Sequence, residues 1–249
     1  PRSDGPLVHD TTRVGEDAFF ERPPRREASP AWRALTRFAS YAMMRAMPDH
    51  RTIELFFDIG SPYSYLCATQ IDAVAAKHDA RVAWRPFLLG GVFKAAGNEM
   101  PARIPSKARW MLSDLVLWAK HYNVPFVFPP SFPPNTVKAM RACVAAADRG
   151  KTRELAMALF EGYWVHGVDP SSDAGLRAAC AAAGLEADEI LQAIDTQPIK
   201  DALRASTEEA VARGAFGAPT MFIGDQMLWG NDRLPMVGIL IERAAADRI

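Results

Sequence analysis

From residue 51 onward the apolar positions change pattern three times. Arg51-Thr-Ile-Glu-Leu-Phe-Phe57 is dense in β-branched and aromatic side chains and predicts a strand. Asp58-Ile-Gly-Ser-Pro62 then reads as a turn opening a helix, because a proline just inside a helix start gives up an N–H that has no partner there. The helix is predicted from Pro62 to about Lys77, and a second strand from Ala80 to Arg85, ended by Pro86. A β-α-β unit of this kind sets its strands parallel. From about 92 to 213 the chain is alanine-rich with helical period. Lys107 to His121 carries Trp110, Met111, Leu115 and Trp118 at helical spacing, and further helices are predicted over Asn135–Asp148, Thr152–Val165, Ser172–Ala183, Asp188–Asp195 and Ile199–Arg213. Ser171-Ser172-Asp173 and Gly184 supply start and stop signals. Strand character returns in Thr220–Ile223 and Met227–Trp229 around Gly224-Asp225, a hairpin signal, and a last helix covers Leu234 to Ala246.

The order β-α-β, helices, β-β-α is that of an α/β, thioredoxin-like fold with an all-helical insertion domain. The expected division is residues 51–91 and 214–249 for the thioredoxin-like domain and 92–213 for the insertion. Residues 1–50 differ: Arg22-Pro-Pro-Arg-Arg26 among Glu16, Asp17, Glu21 and Glu27 suggests a poorly ordered arm. Within it Trp32, Leu35, Phe38 and Tyr41 give Ala31–Met47 the period of a short amphipathic helix.

Composition narrows the function classes. Lysine plus arginine and aspartate plus glutamate both number 29, so the chain has no net basic surface for phosphates and no nucleic-acid partner is expected. Cys67, Cys143 and Cys180 form neither a CxxC pair nor a metal quartet, and an odd, sparse count fits a reducing cytoplasm. The five histidines are scattered, so no metal is expected. No apolar run reaches the roughly 18 residues of a membrane helix, so no membrane partner is expected either.

Two segments carry candidate chemistry. Phe57-Asp-Ile-Gly-Ser61-Pro62-Tyr63-Ser64 lies where a strand ends and a helix begins, and a helix start offers unpaired N–H groups and partial positive charge that stabilise a thiolate. Thioredoxin-like oxidoreductases place the reactive cysteine of CxxC at this point, but Ser61-Pro-Tyr-Ser64 holds no sulfur. A thiolate must come from elsewhere; bound glutathione would supply it, with the Ser61 hydroxyl as its donor. Alone, Ser61 is equally an ordinary N-cap. The second segment, Gly214-Ala-Phe-Gly-Ala218-Pro219-Thr-Met-Phe222, sets a proline directly before a strand. In thioredoxin folds such a proline is usually cis and faces the active-site helix, leaving the Ala218 backbone to pair with a peptide-like ligand. Other aromatic and sulfur residues, Trp110, Trp118, Tyr163, Trp164 and Cys67, are expected in the core.

With these motifs the chain resembles the 2-hydroxychromene-2-carboxylate isomerase and kappa-class glutathione transferase family. The resemblance rests on the Ser61 segment, Gly97-Asn98, Phe128-Pro129, Phe216-Gly-Ala-Pro-Thr-Met-Phe222 and Trp229-Gly-Asn-Asp-Arg233, and runs from about Ile53 to the last helix. It implies a glutathione site in which Ser61, Pro62 and Tyr63 face the sulfur, Asn98 lies near it, and Ala218 and Pro219 hold the peptide. It further implies that Asn231 and Asp232 take the γ-glutamyl end, and that Lys107 and Asp114 stand where kappa transferases have a lysine and an aspartate. Lys94 and Arg103 are candidate anchors for the carboxylate of an aromatic oxo-acid. The isomerases carry an Asn-Arg pair after Gly-Asn; here only Arg103 is found, in Pro101-Ala-Arg-Ile-Pro105. The implied activity is cis-trans isomerisation by transient thiolate addition, in a homodimer. A kappa-like transferase and a non-catalytic peptide-binding protein remain as alternatives.

Overall fold

A computed structural model describes residues 51–246; the arm over 1–50 and its predicted Ala31–Met47 helix lie outside the described residues. Strand β1 (Thr52–Phe57), helix α1 (Pro62–Lys77) and strand β2 (Arg81–Pro86) form the predicted β-α-β unit. Strands β3 (Thr220–Ile223) and β4 (Gln226–Trp229) complete a four-stranded sheet of order β2-β1-β3-β4. β1 runs parallel to β2, and β3 runs antiparallel to β1 and β4. Phe56 stands opposite Thr220, and Thr220 opposite Trp229. That register gathers the end of β1, the start of β3 and the end of β4 at one end of the sheet, where the two predicted site segments begin.

Strand alternation divides the apolar residues between two layers. Ile53, Leu55 and Phe57 pack with Leu66 and Ile71 of α1 and with Val237 and Ile241 of the final helix α9 (Leu234–Ala246). Phe56 turns to the other face, against Phe87, Val92, Ala210 and Phe222. Between β2 and β3 run α2 (Leu89–Ala96), α3 (Pro105–Tyr122), α4 (Val137–Ala145), α5 (Thr152–Trp164), α6 (Asp173–Ala182), α7 (Ala187–Ala193) and α8 (Gln197–Ala212). Helix α2 was not among the individually predicted helices, and it begins before residue 92, where helical period was expected to start. The packing explains a glycine here: a Cβ on Gly91 would come within 3.2 Å of the Thr207 methyl group of α8.

Two contacts fix the insertion to the sheet near the site. Arg213, just past α8, pairs with Glu54 of β1 at 2.7 Å, lies 3.7 Å over the Phe222 ring and donates to the Gly224 carbonyl. The chain therefore leaves α8 already held at the sheet, a few residues before Pro219. On the opposite layer the fully buried Trp164 of α5 donates its Nε1–H to the Ile59 carbonyl at 2.8 Å. Trp164 and Tyr163 are core residues as expected, and Trp118 packs against the core. Trp110 departs from the expectation: it stands on the outward face of α3, 64% exposed.

Trp164→Phe keeps most of the packing but leaves the buried Ile59 carbonyl without its donor. Urea unfolding should show a loss of about 1–3 kcal/mol; an unchanged midpoint would mean that the bond to the turn contributes nothing.

Candidate active site

Ser61 is the N-cap of α1. Its extended backbone (φ −97°, ψ 115°) frees the side chain to accept from the Ser64 N–H at 3.1 Å, a cap that typically stabilises a helix by about 1 kcal/mol. The same hydroxyl donates to the Ala218 carbonyl at 3.1 Å, across 157 residues of sequence. Capping the helix and bridging to the Ala218 carbonyl are thus two uses of one hydroxyl. Pro62 has no N–H, and among the described residues the Tyr63 N–H has no acceptor, so the first turn of α1 keeps an open backbone donor beside Ser61.

The segment facing Ser61 is held carbonyl by carbonyl. Phe216 accepts from the Asn98 side-chain amide at 3.0 Å, and Gly217 from the Thr220 hydroxyl at 2.8 Å. Ala218 accepts from Ser61, and Pro219 from the Gly230 N–H at 3.0 Å. The Ala218–Pro219 peptide is cis. Four successive acceptors are therefore satisfied, whereas the Ala218 N–H has no partner among the described residues. Asn98 follows Gly97, whose left-handed φ of +64° ends α2, and its Oδ1 accepts from the Glu99 N–H at 2.8 Å. Both ends of the Asn98 amide are thus engaged, and its main effect is on the loop before Pro219.

A second group surrounds Tyr63. Its hydroxyl donates to Asp114 Oδ2 of α3 at 2.8 Å. Burial, and after it the Asp114 carboxylate, push the Tyr63 phenol well above its ordinary value, so it stays a protonated donor. Nearby, Tyr122 donates to the Asn231 carbonyl at 3.2 Å, and the buried Asn231 side chain lies 3.4 Å from the same hydroxyl. Asp232 is half exposed and lies 3.6 Å from Arg233. Lys107, two helical turns before Asp114, lies on the same face of α3 by its spacing, and is exposed. Lys94 on α2 is also exposed, and Arg103 pairs with Glu99 at 3.6 Å with both side chains largely in solvent. The structure thus joins Ser61, Pro62, Tyr63, Asn98, Ala218, Pro219, Asn231 and Asp232 around one end of the sheet. No bond links Lys94, Lys107 or Arg103 to them.

Comparison with known proteins agrees with this architecture. Residues 52–241 match the family model of the DSBA-like thioredoxin domain. A 2-hydroxychromene-2-carboxylate isomerase from Sphingobium xenophagum is 34% identical, covering 74% of this chain and 94% of the relative. Glutathione S-transferase kappa 1 of Rattus norvegicus is 30% identical, covering 78% and 92%. A solved 2-hydroxychromene-2-carboxylate isomerase structure superposes with a TM-score of 0.72 at 25% identity, over 79% of this chain and 97% of that one. The chain belongs to the DsbA-like thioredoxin family. Within it, it falls among the enzymes of the isomerase and kappa-transferase group.

In this DsbA-like enzyme the active-site turn rests on a carboxyl group that its sequence gave no reason to single out. Asp58 is 2% exposed and accepts from the N–H groups of Gly60 (2.9 Å) and Leu89 (2.8 Å), with Thr136 as a further side-chain donor. One carboxyl thus ties the turn to the start of α2 and the start of α4. Burial raises its pKa, and the three donors only partly oppose that rise. Tyr122 and Phe216 also went unrecognised; Phe216 acts through its carbonyl, which leaves no signal in the sequence. Cys67 is fully buried with its thiol pushed up by burial, so it is core and no resolving thiol. The Ser64 hydroxyl, like that of Ser206, is buried with no hydrogen-bond partner.

Ser64→Ala removes that unpaired hydroxyl and should leave stability equal or raise it by about 1 kcal/mol in urea unfolding; a loss of similar size would show that Ser64 has a partner after all. For Asp58, a folded-state pKa raised above 3.8 gives stability that is complete below that value and is lost as pH rises through the raised pKa. Asp58→Asn should therefore be destabilised most at acid pH, with the gap to wild type narrowing as pH rises. A gap that widens with pH would contradict the assignment.

Proposed function

We propose that this enzyme binds glutathione and uses its thiolate to isomerise an aromatic oxo-acid of the 2-hydroxychromene-2-carboxylate type. The observation that supports the reading most is the juxtaposition of three uncommitted or exchangeable donors: the Ser61 hydroxyl, the Tyr63 N–H and the Ala218 N–H. A thiol-bearing peptide meets all of them, its sulfur at the helix start and its backbone along Ala218. The similarity to named isomerases and glutathione transferases supports the same choice.

When bound, glutathione supplies a nucleophilic thiolate that adds reversibly to the conjugated double bond of the substrate, so that bond rotates freely and the thiol is regenerated. The chain's own residues make this work in three ways. Ser61 turns its hydrogen from the Ala218 carbonyl to the sulfur and holds the sulfur ionised near neutral pH, together with the Tyr63 N–H and the partial charge of the helix start. Ala218 gains a peptide donor from the ligand in exchange, so no buried acceptor is stranded. Asn231 and Asp232 receive the γ-glutamyl end, where the Asp232 carboxylate meets its ammonium group. Lys94 or Lys107 takes the substrate carboxylate. A homodimer and a cytoplasmic setting accompany this reading.

One observation favours a second reading. Arg103, the one arginine in place of the isomerases' Asn-Arg pair, is engaged by Glu99. Without the asparagine of that pair to help orient an oxo-acid, the same thiolate would serve a transferase that conjugates an electrophile. Loss of free thiol during turnover of an aromatic halide identifies the transferase; isomerisation of hydroxychromene-carboxylate with thiol conserved identifies the isomerase.

Ser61→Ala should raise the pKa of the bound thiol by about 1–2 units, a loss of one charge-assisted hydrogen bond, and slow turnover about tenfold or more at neutral pH. The check is the ultraviolet thiolate absorbance titrated with pH in both proteins. The same titration curve in wild type and variant would remove Ser61 from the mechanism.

A further inference from the structure

Helix α3 stops at Tyr122 because Asn123 takes the left-handed conformation (φ +54°), and the Val124 N–H turns back to the Ala119 carbonyl at 3.0 Å. The last side chain of the helix is thereby fixed in direction. Its ring packs against those of Trp118 and His121, at centroid distances of 5.2 and 5.4 Å. Its hydroxyl reaches the turn between β4 and α9 and meets one residue there twice. It donates to the Asn231 carbonyl at 3.2 Å and accepts from the Asn231 side-chain amide at 3.4 Å. A hydroxyl is both donor and acceptor, so one phenol holds the backbone and the side chain of the buried Asn231 together.

The turn held in this way carries Asp232. Asn231, Asp232 and Arg233 form a short 3-10 turn, entered through Gly230 at φ +101°. The Gly230 N–H donates to the Pro219 carbonyl, which ties one end of the turn to the cis-proline loop, and Tyr122 ties the next residue to α3. The N–H groups of Asn231 and Asp232 have no acceptor among the described residues. Burial raises the Tyr122 phenol first, with the Asp232 charge as a smaller cause, and the same charge adds to the rise of Tyr63 after burial and Asp114. Asp232 is therefore felt at both phenols, and Tyr122 stays a protonated donor at neutral pH.

We infer that Tyr122 is a positioning residue: by holding Asn231 it sets the Asp232 carboxylate and the open N–H groups of that turn for the γ-glutamyl end of glutathione. The inference rests on the glutathione reading above. The Tyr122 hydroxyl is committed to Asn231 in both directions, so it acts through the turn and not on the sulfur at Ser61. Its effect is on how tightly the tripeptide is held, with none on the ionisation of the thiol.

Calorimetric titration with glutathione of the full-chain wild type, Tyr122→Phe, Asp232→Asn and the double variant tests this. Tyr122→Phe keeps the ring and removes only the hydroxyl. It should weaken glutathione about fivefold, and Asp232→Asn about tenfold. The double variant should bind about as well as Asp232→Asn alone, because the two residues act through one turn. The ultraviolet thiolate titration of bound glutathione should be the same in wild type and Tyr122→Phe. Circular dichroism of each variant reports that it is folded. Unchanged affinity in either single variant, losses that multiply in the double variant, or a shifted thiol titration in Tyr122→Phe each overturn the positioning role and leave the glutathione reading standing. Absence of glutathione binding by wild type overturns that reading and the inference with it.

Discussion

The hydrogen bond from Ser61 to the Ala218 carbonyl is the constraint on which the site depends. It joins the first helix start to the cis-proline loop, two segments separated by the whole helical insertion. The bond is affordable because everything around it is already committed. The carbonyls of Phe216, Gly217 and Pro219 have their own donors, and the Ser61 oxygen caps α1 in the same geometry. Leaving any one of these acceptors buried and unpaired would cost about 1–3 kcal/mol, so the loop has one favoured arrangement. That arrangement leaves backbone donors, not acceptors, facing outward at Tyr63 and Ala218. A site that presents donors at a helix start selects an anionic sulfur over a neutral one.

The insertion is part of this constraint and does more than cover it. Asp58 reaches the beginnings of α2 and α4, Trp164 reaches Ile59, and Asn98 reaches Phe216. The bonds reach both ends of α2, the start of α4 and the end of α5. Asp58 is the costly member, since a carboxyl at 2% exposure is desolvated and its three donors offset that only in part. The arrangement places a buried carboxyl, its pKa raised by desolvation, in the turn that leads to Ser61.

Much of the fold was legible because local chemistry and packing agree. Pro62 marked the helix start, the β-branched run marked β1, and Gly224-Asp225 marked the hairpin, each by a preference that the tertiary structure leaves intact. Helix α2 was hidden because Gly90-Gly91 is a breaker by composition, although Gly91 is used for close approach to α8. The site was legible where a residue type is the signal, as with Ser61 and Pro219. It was not legible at Phe216 and Asp58, although the backbone role of Ala218 could be read from the proline that follows it. Phe216 contributes a carbonyl and Asp58 a desolvated carboxyl, and neither role can be read before the chain is folded. Arg103 shows the converse: a suitable residue type in a suitable place, engaged by Glu99 in the folded protein.

The account turns on whether the helix start at Ser61 receives a thiol and ionises it. Calorimetric titration with reduced glutathione near neutral pH, run in buffers of different ionisation enthalpy, measures both binding and proton release. The account predicts saturable binding accompanied by release of a proton from the thiol to the buffer. No binding at millimolar glutathione, or binding without proton release, would contradict it.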